Sequence, residues 1–368
     1  MSGKVPPYIP ASEQAGLYGF LPTRMKRWRK AVARARAGGA PAKILCLGDS
    51  TTLGFGSSGA GSTDCRAKSY PSFLASILTG YGITAQANSF FGGGDVGLNL
   101  SVSDPRVATT GGWIANGNLA LGGSMLATAT AGTLSFTPTA PVKTFDVWYR
   151  KNTGGGTFTV DIDGAGTVSQ SANDSPGVGK VTITAGSTGT HTCNVAWVSG
   201  SVQIIAIEGR ADTDLVSVWN AGRSGAKIAD ILVAGFQWSQ IQSLYTFQPD
   251  LIIINLTIND AAAATNATTY QNNMQSLISA IATVPADVIL CTGIPSATGT
   301  ASVAQQKIYQ DIVYALSLTN NLPFYCVTNR WVSQADGLAL GLYVDALHAT
   351  GLGYADYANP LAVNLAMA

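Results

Sequence analysis

Charge is scarce in this chain. Lys, Arg, Asp and Glu make up 11% of its 368 residues, against roughly a quarter in ordinary domains. The signs nearly cancel, at 21 basic and 20 acidic residues, so there is no electrostatic ground for nucleic acid as a partner. Histidine is scarcer still. With only two, His191 and His348, any imidazole chemistry falls on one of them. The five cysteines form no CxxC pair or Cys/His cluster, which argues against a zinc site, and no metal or cofactor is expected. Cys46, Cys291 and Cys326 sit in apolar runs and read as small buried hydrophobes, while a Cys65–Cys193 disulfide stays open. No run approaches the ~18 apolar residues of a membrane span, so no membrane association is expected. Residues 1–20 show no apolar leader core or cleavage signature, so export by an ordinary signal peptide is not expected.

What is present is a large apolar content, 46%, in a chain long enough for two domains. Residues 1–22 read as irregular, with Pro6, Pro7, Pro10 and Pro22, and 23–37 as a basic helix. Short apolar runs at 43–47, 215–219, 251–256, 287–292 and 323–327 read as parallel strands covered on both faces. Helical stripes lie between them at 69–79, 269–283 and 303–318. Ser69 is an expected N-cap and Gly80 suits the C-terminus of the first of these. This alternation predicts a doubly wound α/β sheet. Between about 100 and 212 a two-residue alternation replaces the helical one, as in Phe145, Val147 and Tyr149 or Phe158, Val160 and Ile162. With turn signals such as Asp163-Gly164, this reads as seven or eight strands of a β-sandwich or jelly roll inserted into the α/β part.

Two short motifs carry the chemistry. Gly48-Asp49-Ser50 follows the run Ile44–Leu47, which places Ser50 at the carboxyl end of the first strand, where ligands of open parallel sheets bind. An ordinary βα turn capped by Ser50 or Thr51 fits the tripeptide equally. Asp345-Ala346-Leu347-His348 is the sharper signal. A hydroxyl needs a base to become a nucleophile and the base needs an orienting group, and one turn of chain supplies both. A surface acid beside a capping histidine is the plainer reading, with Asp336 lacking the spacing. His191, at the start of a strand, reads as structural or exposed. Donors for an oxyanion are sought at the same rim. Gly222 follows 215–219, Asn259 follows 251–256, and the Ser50 amide is a third; a turn glycine and a helix-capping Asn are the alternatives, and Gly92-Gly93-Gly94 is a rival.

In that order these residues resemble the SGNH (GDSL-type) hydrolase family. The four blocks are Gly48-Asp49-Ser50, Asn220-Ala221-Gly222, Ile258-Asn259-Asp260 and Asp345-Ala346-Leu347-His348. The stretch Ala349 to Tyr354 is similar to the family's segment after its histidine. The resemblance covers roughly 38–90 and 213–368. It implies a flavodoxin-like three-layer α/β/α fold on a parallel five-stranded sheet, and ester hydrolysis with Ser50 as nucleophile, His348 as base and Asp345 as its orienting acid. Gly222 and Asn259 would complete the oxyanion hole with the Ser50 amide. Thr257 departs from the family's usual glycine, which puts the loop holding Asn259 in question, and the insert departs from the minimal core.

The expected organisation is an N-terminal extension at 1–37, a discontinuous hydrolase domain at 38–100 and 213–368, and an inserted carbohydrate-binding-like β-sandwich at 101–212. Such an insert is similar to carbohydrate-active esterases, including deacetylases of bacteriophage tails. The expected substrate is an acylated, most simply acetylated, polysaccharide. The expected location is a virion or the extracellular space, with the cytoplasm as alternative, and a virion or homo-oligomeric partner is compatible with it. Trp148, Trp197 and Trp331 are candidates for stacking on sugar, with Trp113 and Tyr149 beside them; core packing is the competing reading for all. The basic helix is a solvated face or a dock for an acidic glycan. Two rival functions remain: a glycan-binding structural virion module with an inert α/β part, and a lipase or thioesterase of the same fold.

Overall fold

The computed structural model describes residues 16–59, 61–91, 103–117, 120–297 and 303–368. Gly92-Gly93-Gly94 and the early prolines Pro6, Pro7 and Pro10 lie outside them. The chain is a mixed α/β molecule. Its main sheet has seven strands in the order Ala85–Gln86, Val216–Gly222, Ala42–Gly48, Leu251–Asn255, Asp287–Cys291, Phe324–Tyr325 and Leu17–Tyr18. All neighbours are parallel except the last pair, which is antiparallel. The expected five strands are present, with edges moved by up to three residues. Two were missed: Ala85–Gln86, and Leu17–Tyr18 inside a stretch read as irregular. Each spans two residues, too short to leave a periodicity.

The central strands are buried on both sides, as their unbroken apolar runs require. Alternate residues feed different cores. Leu45, Leu47, Ile252 and Ile254 point to one, shared with the helices Gln240–Phe247, Ala267–Ile281 and Val303–Thr319. Ile44, Cys46 and Ile253 point to the other, under Lys26–Arg36, Tyr70–Gly80 and Gly351–Met367. The basic helix is therefore amphipathic. It buries Trp28, Ala31, Val32 and Ala35, and of its outward cations Arg34 pairs with Asp250. Ser69 does sit at the N-cap of Tyr70–Gly80, but its hydroxyl donates to Arg66 O instead of accepting from the helix.

From 107 to 210 the described residues form ten strands in two antiparallel sheets, more than the seven or eight expected. The sheets share a core. Phe158, Val160 and Leu134 come from one and Val147, Tyr149 and Ile204 from the other, and the Tyr149 and Phe158 rings meet edge to face with centroids 5.1 Å apart. This part also joins the α/β core. Trp148 stacks on Phe247 at 4.2 Å, and Glu208 accepts a hydrogen bond from Trp219 Nε1 at 2.8 Å. Cys65 and Cys193 are both buried free thiols, so there is no bridge between them. Cys46 and Cys291 are buried in strands and Cys326 just beyond one, as expected.

Candidate active site

Ser50 owes its position to the turn that follows the strand Ala42–Gly48. Asp49 is the N-cap of the short helix Ser50–Leu53, its carboxylate accepting from Thr51 N–H at 2.8 Å and Thr51 Oγ1 at 2.7 Å. The cap is thus Asp49, neither Ser50 nor Thr51. Gly48 is required by packing, because a Cβ there would lie 2.0 Å from Thr52 Oγ1 and 2.7 Å from Asn255 O. Gly54 ends the helix in the left-handed region at φ 101°. The strand stands between Val216–Gly222 and Leu251–Asn255, the point of the sheet where connections diverge and a crevice opens.

The last motif reaches the same place. His348 Nε2 lies 3.1 Å from Ser50 Oγ, and His348 Nδ1 lies 2.9 Å from Asp345 Oδ2. A carboxylate can only accept, so Nδ1 carries the proton and Nε2 is free to accept from the serine hydroxyl. Asp345 also holds its own loop, Oδ1 accepting from the N–H groups of Leu347 at 2.7 Å and His348 at 2.6 Å. Partial burial works to raise its pKa, but those bonds from His348 and Leu347 outweigh it and keep it below the usual carboxylate range. Ser50 is buried, while the Asp345 side chain stays 45% exposed. The Phe55 ring packs on the imidazole with centroids 4.5 Å apart, and Tyr354 OH holds Phe55 O at 2.8 Å.

Gly56 allows the two loops to meet. Its φ is 87°, and a Cβ would stand 2.7 Å from Val344 Cγ1 and 2.9 Å from His348 Cβ. Asp336, the other acid of the region, belongs to the helix Gln334–Ala339 and binds Ser333. His191 is occupied elsewhere, with Nδ1 2.6 Å from Asp163 Oδ2 and Nε2 3.0 Å from Ser187 O.

The expected donors fare unequally. Ser50 N–H sits in the first helical turn, where no intrahelical acceptor exists. Asn259 spends one amide hydrogen on Ala226 O at 3.1 Å, which fixes the carboxamide and leaves its second hydrogen for a ligand. The neighbouring Asp260 accepts from Ile228 N–H at 3.0 Å, so the short helix Ile258–Ala262, which carries Asn259, is tied to the start of the helix Ile228–Ile231. Thr257 fits where the family has glycine: its backbone stays at φ −128°, and its hydroxyl bonds Tyr270 OH at 3.2 Å. Gly222 is a correction. It is the last residue of its strand, and its N–H already donates to Asn220 Oδ1 at 3.0 Å. Gly225 lies three residues on in the same loop. Its N–H makes no hydrogen bond among the described residues, and open space lies where a Cβ would point.

The tryptophans do not line this site. Trp148 is buried on Phe247. Trp331 is 2% exposed and donates its indole N–H to Asp356 Oδ2 at 2.7 Å. Trp113 and Tyr149 are core residues of the antiparallel sheets. Trp197 is half-buried against that same core and donates to Gly200 O at 2.8 Å; no contact among the described residues links it to Ser50. Their two-residue periodicity marked strands without telling which face met a second sheet. Among the described residues no group of three or more His, Cys, Asp or Glu is placed to hold a metal, and no helix is long and apolar enough to cross a membrane.

A hydroxyl within reach of an imidazole that a carboxylate orients can attack an electrophilic carbonyl, given donors for the developing oxyanion. No curated protein sequence matches the chain. A solved peptidoglycan O-acetylesterase is 18% identical, with a TM-score of 0.73 over 95% of this chain and 97% of that one. At that coverage the likeness of fold takes in the antiparallel sheets as well as the parallel one. A lipase/acylhydrolase from Enterococcus faecalis is 22% identical over 41% of this chain and 76% of that one, with a TM-score of 0.35. An active-site mutant of a family two carbohydrate esterase from Clostridium thermocellum is 15% identical over 69% and 97%, with a TM-score of 0.32. The model of the GDSL-like lipase/acylhydrolase family matches residues 183–355, a range that holds Asn259, Asp345 and His348 but begins after Ser50. The order of the blocks, the meeting of the first and last of them in space, and this match together make the chain similar to the GDSL-like lipase/acylhydrolase family.

Proposed function

We propose that this protein is a serine carboxylic ester hydrolase that removes O-acyl groups, most simply O-acetyl, from a polysaccharide. The observation that carries this reading is the unbroken path Ser50 Oγ, His348 Nε2, His348 Nδ1, Asp345 Oδ2, with steps of 3.1 Å and 2.9 Å across the two ring nitrogens. His348 takes the Ser50 proton as the hydroxyl attacks the ester carbonyl. Asp345 stabilises the imidazolium that forms. The tetrahedral oxyanion is held by Ser50 N–H, the second Asn259 amide hydrogen and, in place of the Gly222 N–H expected from the sequence, the Gly225 N–H. His348 then gives its proton to the leaving sugar alkoxide. Water, deprotonated by the same imidazole, attacks the acyl-enzyme; carboxylate leaves and Ser50 regains its proton. No step needs a metal or cofactor.

A glycan as acyl carrier is supported by the fold shared with a peptidoglycan O-acetylesterase over nearly the whole of both chains. The same reading takes 38–100 and 213–368 as the hydrolase and 101–212 as an inserted β-sandwich of jelly-roll type, supported by the two antiparallel sheets around one core. Hydrolysis of p-nitrophenyl acetate by the wild type and Ser50→Ala, followed by acetate release from acetylated peptidoglycan and xylan, tests both halves. Equal rates in the two proteins would end the enzyme reading. Ester cleavage without release from either glycan would end the polysaccharide reading.

A further inference from the structure

A cavity of about 1010 Å3 lies beside the Asp345 loop and takes no part in the chemistry above. Its walls are Pro295–Ala297, which follow the strand Asp287–Cys291, Cys326, Thr328, Asn329 and Val332–Ala335, which follow Phe324–Tyr325, and one face of the helix Val303–Thr319. It therefore opens on the same carboxyl rim of the sheet as Ser50, two to three strands along. At about 4.8 Å per strand that is roughly 10–14 Å away. The two places are mechanically joined. Ala297 N–H donates to Ala346 O at 2.9 Å, and Gln334 Nε2 approaches Asp345 O at 3.4 Å.

The chemistry of the walls selects a ligand class. Tyr18, Tyr314 and Phe324 form one aromatic cluster with centroids 5.4 to 6.0 Å apart, and Tyr314 keeps 40% of its surface exposed. Gln310 accepts from Thr328 Oγ1 at 3.1 Å and retains both amide hydrogens as donors among the described contacts. Lys307 and Asp311 neutralise each other, so the cavity offers no net charge to an ionic ligand. Ring faces beside neutral carboxamide and hydroxyl groups suit a neutral polyhydroxylated chain. A long acyl chain would leave those polar walls unmatched.

Backbone strain supports the assignment. Val332, on the lip of the cavity, is held at φ 57° and ψ −61° in a γ-turn closed by Ser333 N–H to Trp331 O at 2.6 Å. This is the strained form of that turn, and a β-branched residue there is a marked outlier. The turn presents the Val332 side chain 72% exposed. Strain held in a surface loop without a packing reward marks a place shaped for binding.

We propose that this cavity is a subsite for a neutral polysaccharide chain, gripping sugar rings several units along from the one whose acyl group is cut at Ser50. What happens at Ser50 rests on the esterase reading; the binding does not. The test titrates Ser50→Ala protein calorimetrically with xylohexaose, cellohexaose and chitohexaose, alone and combined with Tyr314→Ala or Gln310→Ala. The two wall substitutions are also made singly in the active protein and assayed on p-nitrophenyl acetate. At least one hexaose is expected to bind, its monosaccharide far more weakly, and each wall substitution to weaken binding about tenfold with p-nitrophenyl acetate hydrolysis unchanged. If Tyr314→Ala unfolds, the half-buried Gln310→Ala decides. Absence of binding by all three hexaoses, or unaltered binding in the variants, overturns the proposal. Hexaose binding lost in the variants of a protein that leaves p-nitrophenyl acetate untouched would fail the esterase reading and uphold the subsite.

Discussion

In the proposed mechanism Ser50, His348 and Asp345 act as a unit, so each removal is expected to have a large effect. Ser50→Ala is expected to lower kcat on p-nitrophenyl acetate by about 10⁴-fold or more. Asp345→Asn keeps a group of the same shape, but its amide would present a donor to His348 Nδ1 and stabilise the wrong tautomer; a loss of about 10⁴-fold is expected, with little change in KM. Asp49 gives a prediction in stability. Burial pushes its carboxyl up to about 6, against the hydrogen bonds from Thr51 that work to lower it, and Oδ2 is buried without a partner. The folded chain holds that proton at pH values where the unfolded chain, with an ordinary aspartate, has released it. The stability this group contributes is thus fully present below about pH 4 and lost as pH rises through about 6. Asp49→Asn should remove that slope and raise Tm near pH 7.5, with no gain near pH 4; melting curves across that range check it.

At the scale of elements, function depends on two loops meeting, one after Ala42–Gly48 and one before Gly351–Met367. Gly56→Ala would put a methyl against Val344 and His348 at a positive φ, pushing the imidazole away from Ser50 Oγ. A displacement near 1 Å costs on the order of 10²-fold in rate, so kcat should fall by about that factor while KM changes less. A fall in Tm should accompany it, since the strain is real whether or not substrate is present. The donor loops are tied together likewise. Asn259→Ala removes both the grip on Ala226 O and a proposed oxyanion donor, with an expected kcat loss of about 10²–10³-fold.

For the whole molecule, the decisive seam lies between the antiparallel sheets and the α/β core. Trp148 crosses it, stacked on Phe247 and edge-on to Trp219, with Ile205 and Ala206 beside it in the same core. Trp148→Ala should destabilise by about 3–5 kcal/mol, the cost of emptying a large buried aromatic site. Calorimetry should show a single cooperative transition in the wild type, because the two parts share apolar surface that neither could expose alone. Two resolved transitions would show that the seam contributes little.

The sequence by itself determined the strand and helix alternation, the change of periodicity near residue 100, and Ser50, Asp345 and His348 as the candidate catalytic set. These are local facts. A strand buried on both faces must be continuously apolar, and an acid three residues before a histidine can reach its ring without help. What only the tertiary structure decided is how separate segments share their hydrogen bonds and faces. Gly222 looked available until Asn220 was seen to occupy its N–H, and Gly225 gained meaning only from the open space around it. Whether Trp148 and Trp331 were sugar platforms or core residues was open until their rings met Phe247 and Tyr343. The two-residue edge strands and the cavity beside the Asp345 loop left no trace in the chain, because each is made by residues that distant segments bring together.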